Sequence, residues 1–165
     1  MSCSNQVEID VFSSKYQEGI LNLIVNIQQE EFGIAITAKD QPDLCNIQSF
    51  YQKDKGNFWV AVLNEKAIGT ISLLDIGNEQ AALRKMFVSK EYRGGTYHVA
   101  SMLLEKLFKW ARLNKVKEIF LGTTSNFLAV HRFYEKNGFN EIVIGTLPSA
   151  FPIMKVDTKF YKFEL

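Results

Sequence analysis

The sequence has few cysteines, no long apolar run and no block of charge of one sign. Cys3 and Cys45 are its only cysteines, and they lack the CxxC spacing and nearby histidines of a metal site, so we expect reduced structural thiols and no metal. No apolar stretch approaches the ~18 residues that cross a bilayer, and no apolar run follows a basic start. Lys and Arg are scattered and the net charge is +1, which disfavours nucleic acid as a partner. These absences predict a soluble, cytoplasmic protein.

The length and composition are typical of one globular domain. The 165 residues suffice for a buried core but are short for two domains, so we predict a single domain over residues 1–165. Apolar residues make up 47% and charged residues 22%, which separates the chain from disordered and collagen-like sequences. The chain is therefore expected to fold by itself.

Hydrophobic spacing in the first half of the chain predicts helices followed by strands. Alternating apolar and polar residues indicate a strand at 6–12. Helical spacing then indicates a helix that ends near Phe32 and a short helix that starts at Pro42. Residues 58–88 contain three short apolar segments separated by turns, which predict an antiparallel meander.

The second half of the chain adds one crossover. A long amphipathic helix around Leu107 leads to a short apolar strand at 119–122, a helix that ends at Gly138, and two closing strands. The predicted order is β-α-α-β-β-β-α-β-α-β-β, an α/β (α+β) fold with a central, mostly antiparallel mixed sheet of about seven strands and about four helices. The crossover makes a parallel pair of strands, and ligands collect at the carboxyl ends of such strands.

The segment before the long helix has the composition of a phosphate-binding turn. Gly94 and Gly95 permit a tight path with positive φ and let backbone N–H groups approach a ligand. The following helix adds free N–H groups and the positive end of its dipole, and Arg93 adds a permanent cation. We predict that this turn binds a phosphate; a glycine turn without a ligand is the alternative.

Two motifs resemble those of the GNAT acetyltransferase superfamily. Residues 86–94, Met-Phe-Val-Ser-Lys-Glu-Tyr-Arg-Gly, with Val-Ala-Ser-Met-Leu-Leu from Val99, resemble its acetyl-CoA-binding signature. Residues 130–139, Val-His-Arg-Phe-Tyr-Glu-Lys-Asn-Gly-Phe, resemble its second marker. The motifs follow each other in the family's order, and the predicted elements match its fold from about residue 6 to 165. The resemblance implies an enzyme with acetyl-CoA as co-substrate.

The resemblance also implies roles for individual residues. Met86, Phe87 and Val88 would offer backbone groups to the pantetheine arm, and Tyr134 would lie beside the thioester sulfur as the catalytic proton donor. The residues that would contact the pyrophosphate or neighbouring parts of the cofactor are Arg93, Gly94, Gly95, Thr96, Tyr97, His98, Val99, Ala100 and Asn126.

The phosphate turn departs from the family's usual spacing. The family's marked positions fall on Gly95, His98 and Ala100, so a histidine replaces one glycine and Arg93 stands two residues early. A lengthened turn is the simplest interpretation. Asn126 stands one place from the family's usual asparagine, so it serves equally well as a helix cap.

Transfer to an amine requires a base as well as an acid. An alkyl amine has a pKa near 10.4, so at neutral pH only about one molecule in two thousand is the free nucleophile. Glu30 and Glu31, at the end of the first helix, would border the acceptor site, and Glu79 precedes a meander strand. These carboxylates are the candidate bases, and a base acting through ordered water is the alternative. Backbone N–H groups near residues 86–88 would stabilise negative charge on the acetyl oxygen.

The helix that carries Tyr134 allows a second interpretation. An aromatic residue at this position can pack in the core with Phe133 instead of donating a proton. His131 lies one helical turn before Tyr134, which suggests a catalytic dyad. Because helical histidines usually serve packing or surface roles, we expect packing for His131.

The combined interpretation is direct acetyl transfer from acetyl-CoA to a primary amine. The alternative from another class is a non-catalytic acyl-CoA-binding or regulatory module with the same fold. A nucleotide-binding protein is less consistent with the sequence because GxxxxGK[ST] is absent. A small-molecule amine is the favoured acceptor and a protein N-terminus the other candidate, with the chain a monomer or a homodimer. The loop at 151–154 would either wall the acceptor site or support a dimer.

Overall fold

A computed structural model describes residues 6–94, 97–124 and 128–165, with the backbone alone at Leu128. Within these ranges seven strands form one sheet in the order β1-β2-β3-β4-β5-β7-β6. The strands are β1 (Glu8–Val11), β2 (Asn57–Leu63), β3 (Lys66–Gly77), β4 (Gln80–Val88), β5 (Glu118–Thr123), β6 (Asn140–Ile142) and β7 (Lys159–Glu164).

The predicted sheet is confirmed. Strands β2, β3 and β4 form the predicted antiparallel meander, β1 pairs antiparallel with β2, and β5, β7 and β6 continue the sheet with antiparallel pairs. The pairing of β4 with β5 is parallel, because a helix connects these strands across one face of the sheet. The carboxyl ends of β4 and β5 therefore point to the same edge.

Five α-helices flank the sheet in the described residues. They are α1 (Gln17–Asn26), which continues as a π-helical segment (Ile27–Glu31), α2 (Pro42–Cys45), α3 (Ile47–Tyr51), α4 (Val99–Leu113) and α5 (Leu128–Lys136). The single helix predicted from Pro42 is divided because Asn46 leaves helical backbone geometry (φ −137°, ψ 45°) and donates its side-chain N–H to the Pro42 carbonyl at 2.8 Å. None of the helices in the described part of the chain is long and apolar enough to cross a membrane.

Strand β2 separates two cores. All of its residues are buried, and successive side chains point to opposite faces of the sheet. One set packs with α4, and the other packs with α1, α2 and α3. Because both faces are covered, β2 is an uninterrupted apolar run rather than an alternating one.

Gly138, which follows α5, has no free space for a side chain. Its φ is +96°, and a Cβ on it would lie 2.8 Å from Cε2 of Phe163. We expect Gly138→Ala to lower the free energy of unfolding by about 1–3 kcal/mol, since the new methyl group combines backbone strain with overpacking. Urea denaturation measures this change. Gly145→Ala is the control, because a Cβ there meets nothing within 4 Å; equal stability of the two variants would contradict the prediction.

Candidate active site

Strands β4 and β5 pair only at their beginnings and then diverge. Residues 80–82 of β4 pair with 118–120 of β5, whereas β4 continues to Val88 and β5 to Thr123. Among the described residues, the edge of β4 that faces β5 therefore has no partner strand from residue 83 onward. A cavity of about 720 Å³ opens at the divergence, lined by residues 83–87 on one side and 121–124 on the other.

A β-bulge brings two consecutive basic residues to the cavity wall. Ser72 pairs with Arg84 and Thr70 with Phe87, so β4 has one more residue than β3 between these pairs. Lys85 accordingly has φ +56°. The Thr70 hydroxyl donates to the Lys85 carbonyl at 2.7 Å, and the Ser72 hydroxyl donates to the Arg84 carbonyl at 2.8 Å. These bonds satisfy the carbonyls at the bulge, and both Arg84 and Lys85 line the cavity.

The Lys85 ammonium group belongs to a buried polar network. It lies 3.5 Å from Asp43 Oδ2 and donates to Gln41 Oε1 at 3.0 Å. Asp43 also accepts the Tyr51 hydroxyl at 2.5 Å, and Gln41 exchanges two amide hydrogen bonds with Gln28. Burial lowers the pKa of Lys85, although the charge of Asp43 acts in the opposite direction. The network joins β4 to α2, α3 and the π-helical segment behind the cavity.

Tyr134 lies in the wall of the cavity, on α5. Its side chain packs against the rings of Phe133, Phe139 and Tyr161 with centroid separations of 5.4–6.1 Å. Only 4% of its surface is exposed, and burial raises the pKa of its hydroxyl above the ordinary tyrosine value. Tyr134 therefore both packs in the core and lines the cavity. The role of Tyr134 as proton donor stays a prediction.

The start of α4 packs against the carboxyl end of β4. Val88 pairs with Gly69 of β3, and a Cβ on Gly69 would lie 3.0 Å from Cγ1 of Val99, the first residue of α4. Ala100 follows Val99 in the first turn of the helix. The predicted cofactor segment thus follows directly from the strand that lines the cavity, and Met86 and Phe87 are themselves lining residues.

The turn before α4 has the left-handed backbone that its glycines predict. Gly94 has φ +95°, and His98, at the position aligned with a family glycine, has φ +53°. A histidine there adopts the conformation that glycine would adopt without strain. Tyr97 is 37% exposed and stacks edge-on against Tyr92 at 5.2 Å. The predicted contacts Gly95, Thr96 and Asn126 lie outside the described residues.

Arg93 and Glu31, for which the sequence predicted separate roles, form one ion pair. Nη1 of Arg93 lies 2.6 Å from Oε1 of Glu31, Nη2 donates to Oε2 at 2.8 Å, and Nε donates to the Val88 carbonyl at 2.8 Å. The pair joins the π-helical segment to the predicted phosphate turn. Glu30 is exposed, and Glu79 lies 3.5 Å from Lys117 at the opposite end of β4. None of the three glutamates lines the cavity.

His131 is buried and has a packing contact, as expected. Its Nε2 lies 2.7 Å from the carbonyl oxygen of Thr124, so Nε2 carries the hydrogen in this contact. Its ring lies 6.1 Å from the ring of Tyr161. The bond connects the end of β5 to α5 and so helps to hold the helix that carries Tyr134.

Sequence reasoning missed Asp157 as a cavity residue. Its Oδ2 accepts the Met154 backbone N–H at 2.9 Å, and burial raises the pKa of its carboxyl. A Cβ on Gly122 of β5 would lie 2.6 Å from this Oδ2, so only glycine allows the carboxylate to approach the strand. A glycine inside an otherwise apolar strand was the available signal. The loop that contains Phe151, Met154 and Asp157 walls the cavity, which was one of its two predicted roles.

Comparison with known proteins agrees with this architecture. Residues 21–139 match the model of the acetyltransferase (GNAT) family. N-acetylaspartate synthetase of Xenopus tropicalis is 38% identical over 104 residues, and the match covers 61% of this chain and 37% of that protein. The chain therefore spans little more than a third of the length of this relative.

Solved structures share the fold over nearly the whole chain. A GNAT-family acetyltransferase of Staphylococcus aureus Mu50 is 39% identical with a TM-score of 0.91, and the match covers 96% of this chain and 98% of that one. The PaiA N-acetyltransferase of Thermoplasma acidophilum, solved in complex with coenzyme A, is 19% identical with a TM-score of 0.72 and full coverage of both chains (100% each). The family match, the seven-stranded sheet and the diverging strands β4 and β5 agree, and the chain belongs to the GNAT acetyltransferase family.

Proposed function

We propose that the protein is an N-acetyltransferase that moves the acetyl group of acetyl-CoA directly to the primary amine of a small molecule in the cytoplasm. The observation that carries this proposal is the cavity between β4 and β5, which has the free edge of β4 on one side and Tyr134 in its wall. A free strand edge and a buried phenol at one cavity suit the transfer of an acyl group between two bound molecules.

The described residues fit coenzyme A. The free edge of β4 presents backbone groups that can pair with the amides of a pantetheine arm, as another strand would. The start of α4 presents N–H groups next to the left-handed residues Gly94 and His98, which suits a phosphate. The Thermoplasma protein, which shares the fold, binds coenzyme A. Bound acetyl-CoA would supply the acetyl group as an activated thioester.

Tyr134 supplies the proton for the departing sulfur in this proposal. The phenol is protonated at neutral pH because the ordinary tyrosine pKa is near 10, and burial raises this pKa further, so the hydroxyl carries a proton to donate. Backbone N–H groups of residues 86–88 stabilise negative charge on the acetyl oxygen. Apolar side chains of Phe32, Ile34 and Phe151 in the cavity wall exclude water from the reacting atoms.

The cavity favours a small acceptor. It is walled by residues 34–36 on one side and by the loop at 151–157 on the other, so a free small molecule enters more readily than the end of a folded protein. The name of the Xenopus relative refers to N-acetylaspartate, which adds amino acids to the candidate acceptors.

Thermal unfolding in the presence of acetyl-CoA tests the proposal. Ligand at about 100 times its Kd stabilises a protein by about 2.7 kcal/mol, which raises the Tm of a domain of this size by roughly 5–10 °C. A parallel screen measures thiol release with a panel of amines. No shift at millimolar acetyl-CoA would refute the proposal, and a shift without thiol release from any amine would favour the non-catalytic binding module.

A further inference from the structure

The charged residues of the cavity divide into those that are exposed or paired with an opposite charge and those that are neither. Five charged side chains of the described residues line it: Asp40, Arg84, Lys85, Lys155 and Asp157. Asp40 is exposed to solvent and accepts the backbone N–H and the hydroxyl of Thr37, and Lys85 is paired with the buried carboxylate of Asp43. Lys155 is exposed to solvent. Arg84 and Asp157 remain as charged groups held in the wall, and they carry opposite charges.

Arg84 is held rigidly but lacks an anionic partner among the described residues. Its guanidinium lies over the rings of Phe50 and Tyr51, 5.8 and 5.9 Å from their centroids, and Nη2 donates to the sulfur of Met154 at 3.6 Å. No carboxylate of the described residues lies within 4.0 Å of it. A guanidinium is always charged, and its planar fork matches the two oxygens of a carboxylate.

Asp157 faces the same cavity from the strand β5 side. Its Oδ2 is held by the Met154 N–H and lies against Gly122. A carboxylate has capacity for about four hydrogen bonds, and no bond of the described residues engages Oδ1. Met154 contacts both Arg84, through its sulfur, and Asp157, through its backbone N–H, so the two groups lie near each other without forming an ion pair. The charge of Arg84 accordingly lowers the pKa of Asp157 against the larger effect of burial.

We propose that the acceptor is a zwitterionic amino acid whose carboxylate pairs with Arg84 and whose amine faces Asp157. This proposal rests on the proposed acetyl-transfer function and names its substrate class. A zwitterion offers a carboxylate to Arg84 and an ammonium group to Asp157 at the same time. A simple amine leaves Arg84 without an anion.

Asp157 then acts as the base that the sequence could not identify. Its carboxylate takes one proton from the acceptor's ammonium group and later releases it to solvent. The freed lone pair forms the N–C bond to the acetyl group as the C–S bond breaks. Tyr134 gives its proton to the sulfur and recovers one, through water, from the acetylated nitrogen. The products are the N-acetylated amino acid, the free thiol and one proton.

Matched pairs of acceptors test the substrate class. Each L-amino acid is compared with the amine that lacks its α-carboxylate, for example alanine with ethylamine, in the thiol-release assay. We expect at least one amino acid to exceed its matched amine in kcat/KM by about 10- to 100-fold, the effect of charge-assisted hydrogen bonds to a bidentate partner. The same amino acid should raise the Tm further when coenzyme A is present, which measures binding without turnover.

Substitutions of Arg84 and Asp157 test the role of each charged group. Arg84→Gln should raise KM for the amino acid by about 10- to 100-fold, lower the ratio of kcat/KM between the amino acid and its matched amine by a similar factor, and abolish the added Tm shift. Arg112→Gln is the control, because Arg112 also stacks on a ring, Phe108, but lies outside the cavity. Asp157→Asn should lower kcat by about 100-fold for both acceptors. Arg84→Met, which also removes the charge but keeps an apolar stem beside Phe50 and Tyr51, serves if Arg84→Gln does not fold.

The outcomes separate this proposal from the proposed function. Thiol release from simple amines as fast as from every amino acid would overturn the zwitterion proposal and leave acetyl transfer standing. No release from any amino acid would overturn it as well. A lack of any Tm shift with acetyl-CoA would overturn both. Preference for amino acids that survives Arg84→Gln, or Arg84→Met in its place, would overturn the role of Arg84.

Discussion

Replacing Tyr134 by phenylalanine should lower kcat by about 100- to 1,000-fold and leave the affinity for acetyl-CoA nearly unchanged. General acid catalysis by a positioned side chain contributes ~10²–10⁴-fold, and the phenylalanine ring keeps every aromatic contact that Tyr134 makes. A loss of kcat without a change in cofactor binding indicates an interaction made in the transition state. Thiol-release kinetics and titration with acetyl-CoA measure the two quantities.

Tyr161→Phe is the matched control for this prediction. The ring of Tyr161 lies 6.1 Å from that of Tyr134, and its hydroxyl donates to Glu135 at 2.7 Å, away from the cavity lining. The control should keep its kcat and lose only the ~1 kcal/mol of stability that one hydrogen bond contributes. Full activity of Tyr134→Phe, or an equal loss of activity in Tyr161→Phe, would remove the proposed acid role.

Replacing Lys85 by methionine should lower the free energy of unfolding by about 3–5 kcal/mol. The side chains of Lys85 and Asp43 are 8% and 9% exposed, so the substitution leaves a buried carboxylate without its cation. For a domain of this size the loss corresponds to a fall in Tm of roughly 6–20 °C. Urea denaturation of the wild type and the variant measures it.

The double variant Asp43→Asn/Lys85→Met tests whether the unpaired charge of Asp43 causes this loss of stability. Burial lowers the pKa of Lys85 despite the attraction of Asp43, so the cost of removing the ammonium from water exceeds the gain from the pair. Removing both charges should therefore restore most of the stability, within about 1–2 kcal/mol of the wild type. A double variant as unstable as Lys85→Met would show that packing at the bulge, rather than the unpaired charge, causes the loss.

The order and type of the elements were predictable because each carries its own local signal. The meander strands have apolar runs bounded by turns, and α4 has a clear amphipathic pattern, so these predictions needed no tertiary information. The division at Asn46 was missed, since a side-chain bond to the Pro42 carbonyl competes with a helix pattern that continues through it.

The candidate site was only partly predictable. Met86, Phe87 and Tyr134 line the cavity because their motifs lie on elements whose ends the crossover brings together. Glu31, which the sequence predicts to border the acceptor site, pairs with Arg93 across 62 positions of sequence, and no local pattern predicts that pair. Asp157 and Arg84 lie 73 residues apart, and no local pattern relates them.

By itself the sequence determined the fold class, the family resemblance and the position of the predicted cofactor turn, because periodicity, glycine placement and short motifs are local properties. The tertiary structure alone decided which charges of the cavity are paired with an opposite charge and which are not. A β-bulge at Lys85 brings Arg84 and Lys85 to the same cavity wall, and a glycine at position 122 admits Asp157. These placements depend on contacts between distant segments, and the proposed amino-acid acceptor rests on them.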